Sequence, residues 1–278
     1  LGCPLARVLP LTGGTSTGSI ISAGLATGIG ADEMHRLYCE LGETVFRRSW
    51  RRALWPLTRY RYAPGPLESV LRDRLGDGLM GDLWRAEPPI DVVITTFDLV
   101  DNRTRFVKPW KPEYAEWRLV QTAMASCSVP TYFPPVLGRY VDGGVGAYTN
   151  PCYVAAYEAV FCLEWDPSET TLISLGTGRE PRALGPGDAE RFWAWDWVRP
   201  MVGAFLESAD DQQVHLVTTF FSKLDFRRFQ VDLREPIAMD DPTKIPELTR
   251  YGEELARKIL SDETDRAMDV LPVTLGEL

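Results

Sequence analysis

Gly14-Thr15-Ser16-Thr17-Gly18 fits the pattern G-x-S-x-G. A short apolar run, Val8 to Leu11, leads into it, and a stretch of small residues leads out to Gly28, a good C-terminal stop for a helix. Strand, sharp turn and helix form the setting in which such a serine serves as a nucleophile. The turn pushes the hydroxyl out at the strand end, over the positive N-terminus of the next helix. Glycine is expected on both sides of Ser16 because so tight a turn leaves no room for side chains. An oxyanion formed there would meet free backbone N–H groups, and the N–H of Thr17, the residue after the serine, is the geometric candidate. A serine hydroxyl needs a base within hydrogen-bond reach, about 2.6–3.2 Å. Only two histidines are present, His35 and His215, so a carboxylate is the abundant candidate. Asp142 stands out because it leaves a short strand, Arg139-Tyr140-Val141, and because Gly143 and Gly144 remove side-chain bulk beside it. Both patterns also have plain readings, a common Gly/Ser turn and an Asp-Gly turn after a strand.

The elements around these residues must bring two distant loops together. The chain has 278 residues, 45% apolar and 25% charged, enough for a sizeable core in one large domain or two small ones. A formal net charge of −9 argues against wholesale binding to nucleic acid. No run of about 18 apolar residues marks a membrane span. The five cysteines show no C-x-x-C, which suits a reduced, cytoplasmic protein.

Helical spacing is expected over 31–46, 66–75, 115–126, 151–163, from the Trp-rich stretch to about 206, and over 244–260. Strands are expected over 90–97, 104–108, 139–141, 170–175 and 226–233. Alternation of the two predicts an α/β layered fold with catalytic residues at strand exits. Trp193, Trp195 and Trp197 read as core or as a lid over a pocket rather than as a membrane anchor. Residues 45–62 mix arginines with aromatic rings. They are either a solvated, salt-bridged face or an interfacial patch, in which Arg47, Arg48, Trp50, Arg51 and Arg52 would contact anionic headgroups.

The Gly14–Gly18 segment together with Asp142-Gly143-Gly144 resembles the patatin family of lipid acyl hydrolases. Further segments agree in order: Ala125-Ser126-Cys127-Ser128-Val129-Pro130-Thr131-Tyr132-Phe133-Pro134-Pro135, then Leu172-Ile173-Ser174-Leu175-Gly176-Thr177-Gly178, then Phe226-Arg227-Arg228-Phe229-Gln230 and Ala238-Met239-Asp240-Asp241. The resemblance implies a single catalytic domain over 1–278. Its fold would be three-layered α/β, with a central, mostly parallel sheet flanked by helices. It implies Ser16 as nucleophile and Asp142 as base, an acyl-enzyme intermediate, and no cofactor or metal. It also implies a lipid substrate met at a membrane surface by a cytoplasmic or peripheral protein. Control by a regulatory ligand and the oligomeric state stay open. The family's glycine-rich oxyanion loop precedes the elbow, and no such loop lies before Ser16, so a preceding strand and loop are expected outside this sequence. Ser19 stands where the family usually has a second glycine. Two alternatives remain: an α/β-hydrolase esterase with a Ser16, Asp142, His215 triad, and a patatin-like module that binds lipid without turnover.

Overall fold

A computed structural model describes residues 8–47, 57–181 and 184–261. Its central strand is β2 (Asp91–Asp98), whose run Val92-Val93-Ile94-Thr95-Thr96 is buried throughout. A β-branched run with no polar alternation suits a strand covered on both faces. β1 (Leu11–Thr15) lies parallel to its first half, from Leu11↔Asp91 to Thr15↔Thr95. β3 (Arg103–Val107) is antiparallel along the second half, from Ile94↔Val107 to Asp98↔Arg103. β4 (Tyr140–Asp142) is also antiparallel to the second half, from Asp98↔Tyr140 to Thr96↔Asp142.

A strand has two hydrogen-bonding edges. β3 occupies one edge of β2 over 94–98, so β1 and β4 share the other. They run toward each other along it, and their C-terminal ends meet at Thr95 and Thr96. The sheet is therefore mixed. The parallel order expected of it holds between β1 and β2, whereas the tight turn at 99–102 returns β3 antiparallel.

Helices α1 (Thr17–Ala26), α2 (Ala31–Thr44), α3 (Pro64–Leu75), α4 (Met80–Arg85), α5 (Pro112–Ala115) and α6 (Leu119–Cys127) complete this unit. α6 packs against α1, α3, β2 and β4. Its small residues Ala123, Ala125 and Ser126 are fully buried, which lets it lie close to the strands. Leu37, Leu71, Met80, Ile94 and Leu119 fill the core between helices and sheet. α3 begins two residues before the expected Pro66 and stops at Gly76, which takes φ 64°, where glycine alone is unstrained.

The chain divides at 155/156 into two compact units. α7 (Cys152–Tyr157) crosses that position and continues in a π-helical turn to Cys162. In the second unit, β5 (Thr171–Leu175) and β6 (Asp225–Phe229) pair in parallel. α8 (Val198–Phe220) connects them, and α9 (Ile245–Leu260) follows. Buried Arg228 ties α8 to this sheet: its guanidinium donates to both Asp210 oxygens at 3.0 and 2.9 Å and to Ser174 Oγ at 3.0 Å. The tryptophan cluster differs from expectation. Trp193 and Trp195 are 81% and 87% exposed, because they precede α8 in a turn and no helical stripe carries them inward.

Candidate active site

Ser16 sits between β1 and α1 with φ 53° and ψ −126°. A non-glycine residue there stores about 1–3 kcal/mol of strain and persists only where its surroundings over-determine it. They do so at both backbone atoms. The Ser16 N–H donates to Ser126 Oγ at 2.8 Å. The Ser16 carbonyl oxygen accepts the Ser19 N–H at 2.9 Å, the Ser19 hydroxyl at 2.6 Å and the Cys127 thiol at 2.9 Å. Gly14 is required, since a Cβ there would collide with the Gly18 carbonyl. Gly18 is not, since a Cβ would meet nothing within 4 Å, so the expectation that the turn needs glycine on both sides holds only for the residue before it.

Asp142 ends β4 and is buried. Its N–H donates to the Ser128 carbonyl at 3.0 Å, and its Oδ1 accepts the Gly144 N–H at 2.8 Å. Its Oδ2 is buried without a well-formed hydrogen bond. Burial pushes this carboxyl up to about 6, and the Ser16 side chain, followed by the Gly144 N–H, holds it from rising further. The Ser16 side chain is thus near enough to favour the charged carboxylate, and Oδ2 carries no hydrogen bond in the structure, such bonds commonly forming only with substrate. Gly143 presses on β2, where a Cβ would collide with Thr95.

Thr15 is buried beneath the elbow. Its hydroxyl donates to the Tyr148 carbonyl at 2.6 Å, so the Thr95 hydroxyl, also 2.6 Å away, donates to it. Thr17 is exposed in the first turn of α1, and its carbonyl accepts the Tyr38 hydroxyl at 2.8 Å. Burial raises the Cys127 thiol to about 12, so it stays protonated and unreactive at neutral pH.

The structure brings together Gly14, Thr15, Ser16, Thr17 and Gly18 with Asp142, Gly143 and Gly144. His35 is exposed on α2, 4.0 Å from Cys39 Sγ. His215 lies within α8, with Nε2 3.5 Å from Thr219 Oγ1 on the same helix. Arg47 is exposed, and Arg48, Trp50, Arg51 and Arg52 fall outside the described residues. Among the described residues, no helix is long and apolar enough to cross a membrane.

Sequence reasoning missed the residues that hold the site. Asp98, at the far end of β2, is fully buried and accepts Arg139 Nε at 2.9 Å and Arg105 Nε at 3.1 Å. The two arginines, chiefly Arg139, hold its carboxyl well below the usual carboxylate range. This cluster locks β3 and the entry to β4 onto β2. Ser126 and Cys127 entered only as part of a segment that resembles the family, with no role attached. Nothing in that segment says which loop it faces.

Comparison with known proteins gives the family. A family model described as patatin-like phospholipase matches residues 3–156. A cGAMP-activated phospholipase of Escherichia coli (strain TW11681) is 28% identical over 191 residues, 62% of this chain and 51% of that protein. A cUMP-AMP-activated phospholipase of Escherichia coli is 29% identical over 193 residues, 65% and 58% of the two chains. Patatin-17 of Solanum cardiophyllum is 24% identical over 303 aligned positions, 93% of this chain and 76% of that protein. The chain therefore spans about half the length of the bacterial relatives it matches.

Proposed function

Because the chain belongs to the patatin-like phospholipase family, we propose that it is a lipid acyl hydrolase in which Ser16 is the nucleophile and Asp142 its general base. Ser16 Oγ attacks the carbonyl carbon of an acyl ester while its proton passes to Asp142. The tetrahedral oxyanion is held by the Thr17 N–H at the start of α1. Collapse breaks the ester C–O bond. The proton returns from Asp142 to the leaving alcohol, and the acyl group stays on Ser16. Water, deprotonated by the same carboxylate, then attacks the acyl-enzyme, and the fatty acid leaves as Ser16 regains its proton.

The observation that carries this reading is a strained serine beside a buried carboxylate whose second oxygen is unspent on other donors. A carboxyl raised to about 6 is ionised at neutral pH and still basic enough to take a proton in the transition state. The substrate class proposed is phospholipid or a related glycerolipid at a bilayer surface. The arginine- and aromatic-rich stretch 45–62 is the proposed headgroup contact. The names of the bacterial relatives make a cyclic dinucleotide the regulatory ligand to try first.

The test is Ser16→Ala, assayed on a short-chain nitrophenyl ester and on phospholipid vesicles, each with and without cGAMP. Hydrolysis and labelling by a fluorophosphonate probe are expected to vanish while the fold is retained. Undiminished hydrolysis by the folded variant overturns the assignment.

A further inference from the structure

The last turn of α6 and the residue after it, Ala125-Ser126-Cys127-Ser128, touch both halves of the site. Ser126 Oγ accepts the Ser16 N–H at 2.8 Å, and Cys127 Sγ donates to the Ser16 carbonyl at 2.9 Å. The peptide on each side of the strained serine is therefore gripped by adjacent residues of one helix. The next residue reaches the other half: the Ser128 carbonyl accepts the Asp142 N–H at 3.0 Å. Ala125 ties the same segment to β2, the strand that pairs with both β1 and β4. Its carbonyl accepts Thr96 Oγ1 at 3.1 Å, and Thr96 is the register partner of Asp142. Ser126 is fully buried and Cys127 and Ser128 nearly so, so water does not compete for these bonds.

We propose that Ser126 and Cys127 are positioning residues that hold Ser16 in its reactive conformation and, through Ser128, at a set distance from Asp142. The geometry supports this assignment over a purely structural one in two ways. The serine's φ of 53° is unfavourable for a side-chain-bearing residue, so the conformation needs outside constraint. Beside the Ser19 N–H and hydroxyl, that constraint comes from the end of α6, and Ser128, the next residue, carries the bond to Asp142, which couples nucleophile and base. Neither Ser126 nor Cys127 needs to touch substrate. Cys127 donates its S–H to the Ser16 carbonyl and lies 3.5 Å from the Ser19 hydroxyl, and because burial keeps it protonated it does not compete with the nucleophile.

The inference rests on Ser16 being the nucleophile, and the experiment keeps the two separable. Ser16→Ala, Ser126→Ala, Cys127→Ala and Cys127→Ser are prepared in the full chain. Each is measured for thermal unfolding, for kcat and KM on a nitrophenyl ester, and for the rate of fluorophosphonate labelling. Misplacement of a reacting group costs up to about 100-fold in rate. Ser126→Ala and Cys127→Ala are accordingly expected to lose about 10- to 100-fold in kcat and in labelling rate, with KM within about twofold. Cys127→Ser keeps a donor at the same place and is expected to recover most of the lost rate. A structural role alone would lower the unfolding temperature and leave kcat per folded molecule unchanged. If Ser126→Ala does not fold, the Cys127 pair decides, because its rescue compares two variants at one position. Alanine variants with parental kcat, or a Cys127→Ser variant as slow as Cys127→Ala, overturn the proposal. An active Ser16→Ala overturns the underlying reading instead.

Discussion

Replacing Asp142 by asparagine should make the protein more stable and inactive at the same pH. The carboxyl is buried, and burial raises it from 3.8 to about 6. At 1.36 kcal/mol for each tenfold change in proton affinity, ionising it in the folded state costs folding about 3 kcal/mol. The direction follows from a folded value above the unfolded one. Below pH 3.8 both states are protonated and nothing is lost. Between 3.8 and about 6 the cost grows, and above that it is complete. Asparagine keeps the Oδ1 that accepts the Gly144 N–H and removes the charge. Its new amide N–H groups need an acceptor, which lowers the expected gain to about 1–2 kcal/mol at pH 8. Urea unfolding of parent and variant at pH 4, 6 and 8, followed by fluorescence and by amide exchange within α1, measures the difference. The gain should be near zero at pH 4 and full at pH 8. Turnover should collapse at every pH, whereas parental kcat/KM should rise through about pH 6 and keep that limb when His35 and His215 are both replaced. A variant less stable than the parent at pH 8, or a stability difference that ignores pH, would refute the argument that burial tunes this carboxylate.

Asp98→Asn should destabilise the protein at pH 7 by roughly 2–3 kcal/mol, less than the ~3–5 kcal/mol typical of a fully buried pair. The reason is that both arginines keep some water contact, with 21% and 32% of their side chains exposed. Since the Asp98 carboxyl is held low, the parental contribution should persist until the pH falls well below the ordinary carboxylate range. Gly14→Ala should unfold the elbow or abolish activity, because its Cβ meets the Gly18 carbonyl. Gly18→Ala should leave both stability and turnover close to parental, and a dead Gly18→Ala would contradict the open space beside it. Changing Arg47, Arg48, Arg51 and Arg52 to Gln should weaken co-sedimentation with anionic vesicles at low salt, each arginine at such a surface being worth about 1 kcal/mol. Unchanged binding and salt dependence would make the stretch an ordinary solvated face.

Local chemistry is legible in a sequence where a few neighbouring residues decide it. The β-branched run ending at Asp98, the stop at Gly76 and the Gly-x-Ser elbow are of that kind, because dihedral preference and burial period act within one or two turns of chain. So was the choice of Asp142, through its glycines. The turn at Asp101-Asn102 and the returning strand after it were legible too, whereas the exposure of Trp193 and Trp195 was not, because it depends on what the neighbouring chain covers. The meeting of Ser16 with Asp142, expected from the family resemblance, is brought about by tertiary structure. It follows from β1 and β4 taking one edge of β2 in opposite directions, a register that brings together residues distant in sequence. The unspent Asp142 oxygen, the arginine pair on Asp98 and the grip of Ser126 and Cys127 on Ser16 arise the same way. Each is a hydrogen bond, or the lack of one, between groups that only packing makes neighbours, and no periodicity along the chain encodes it.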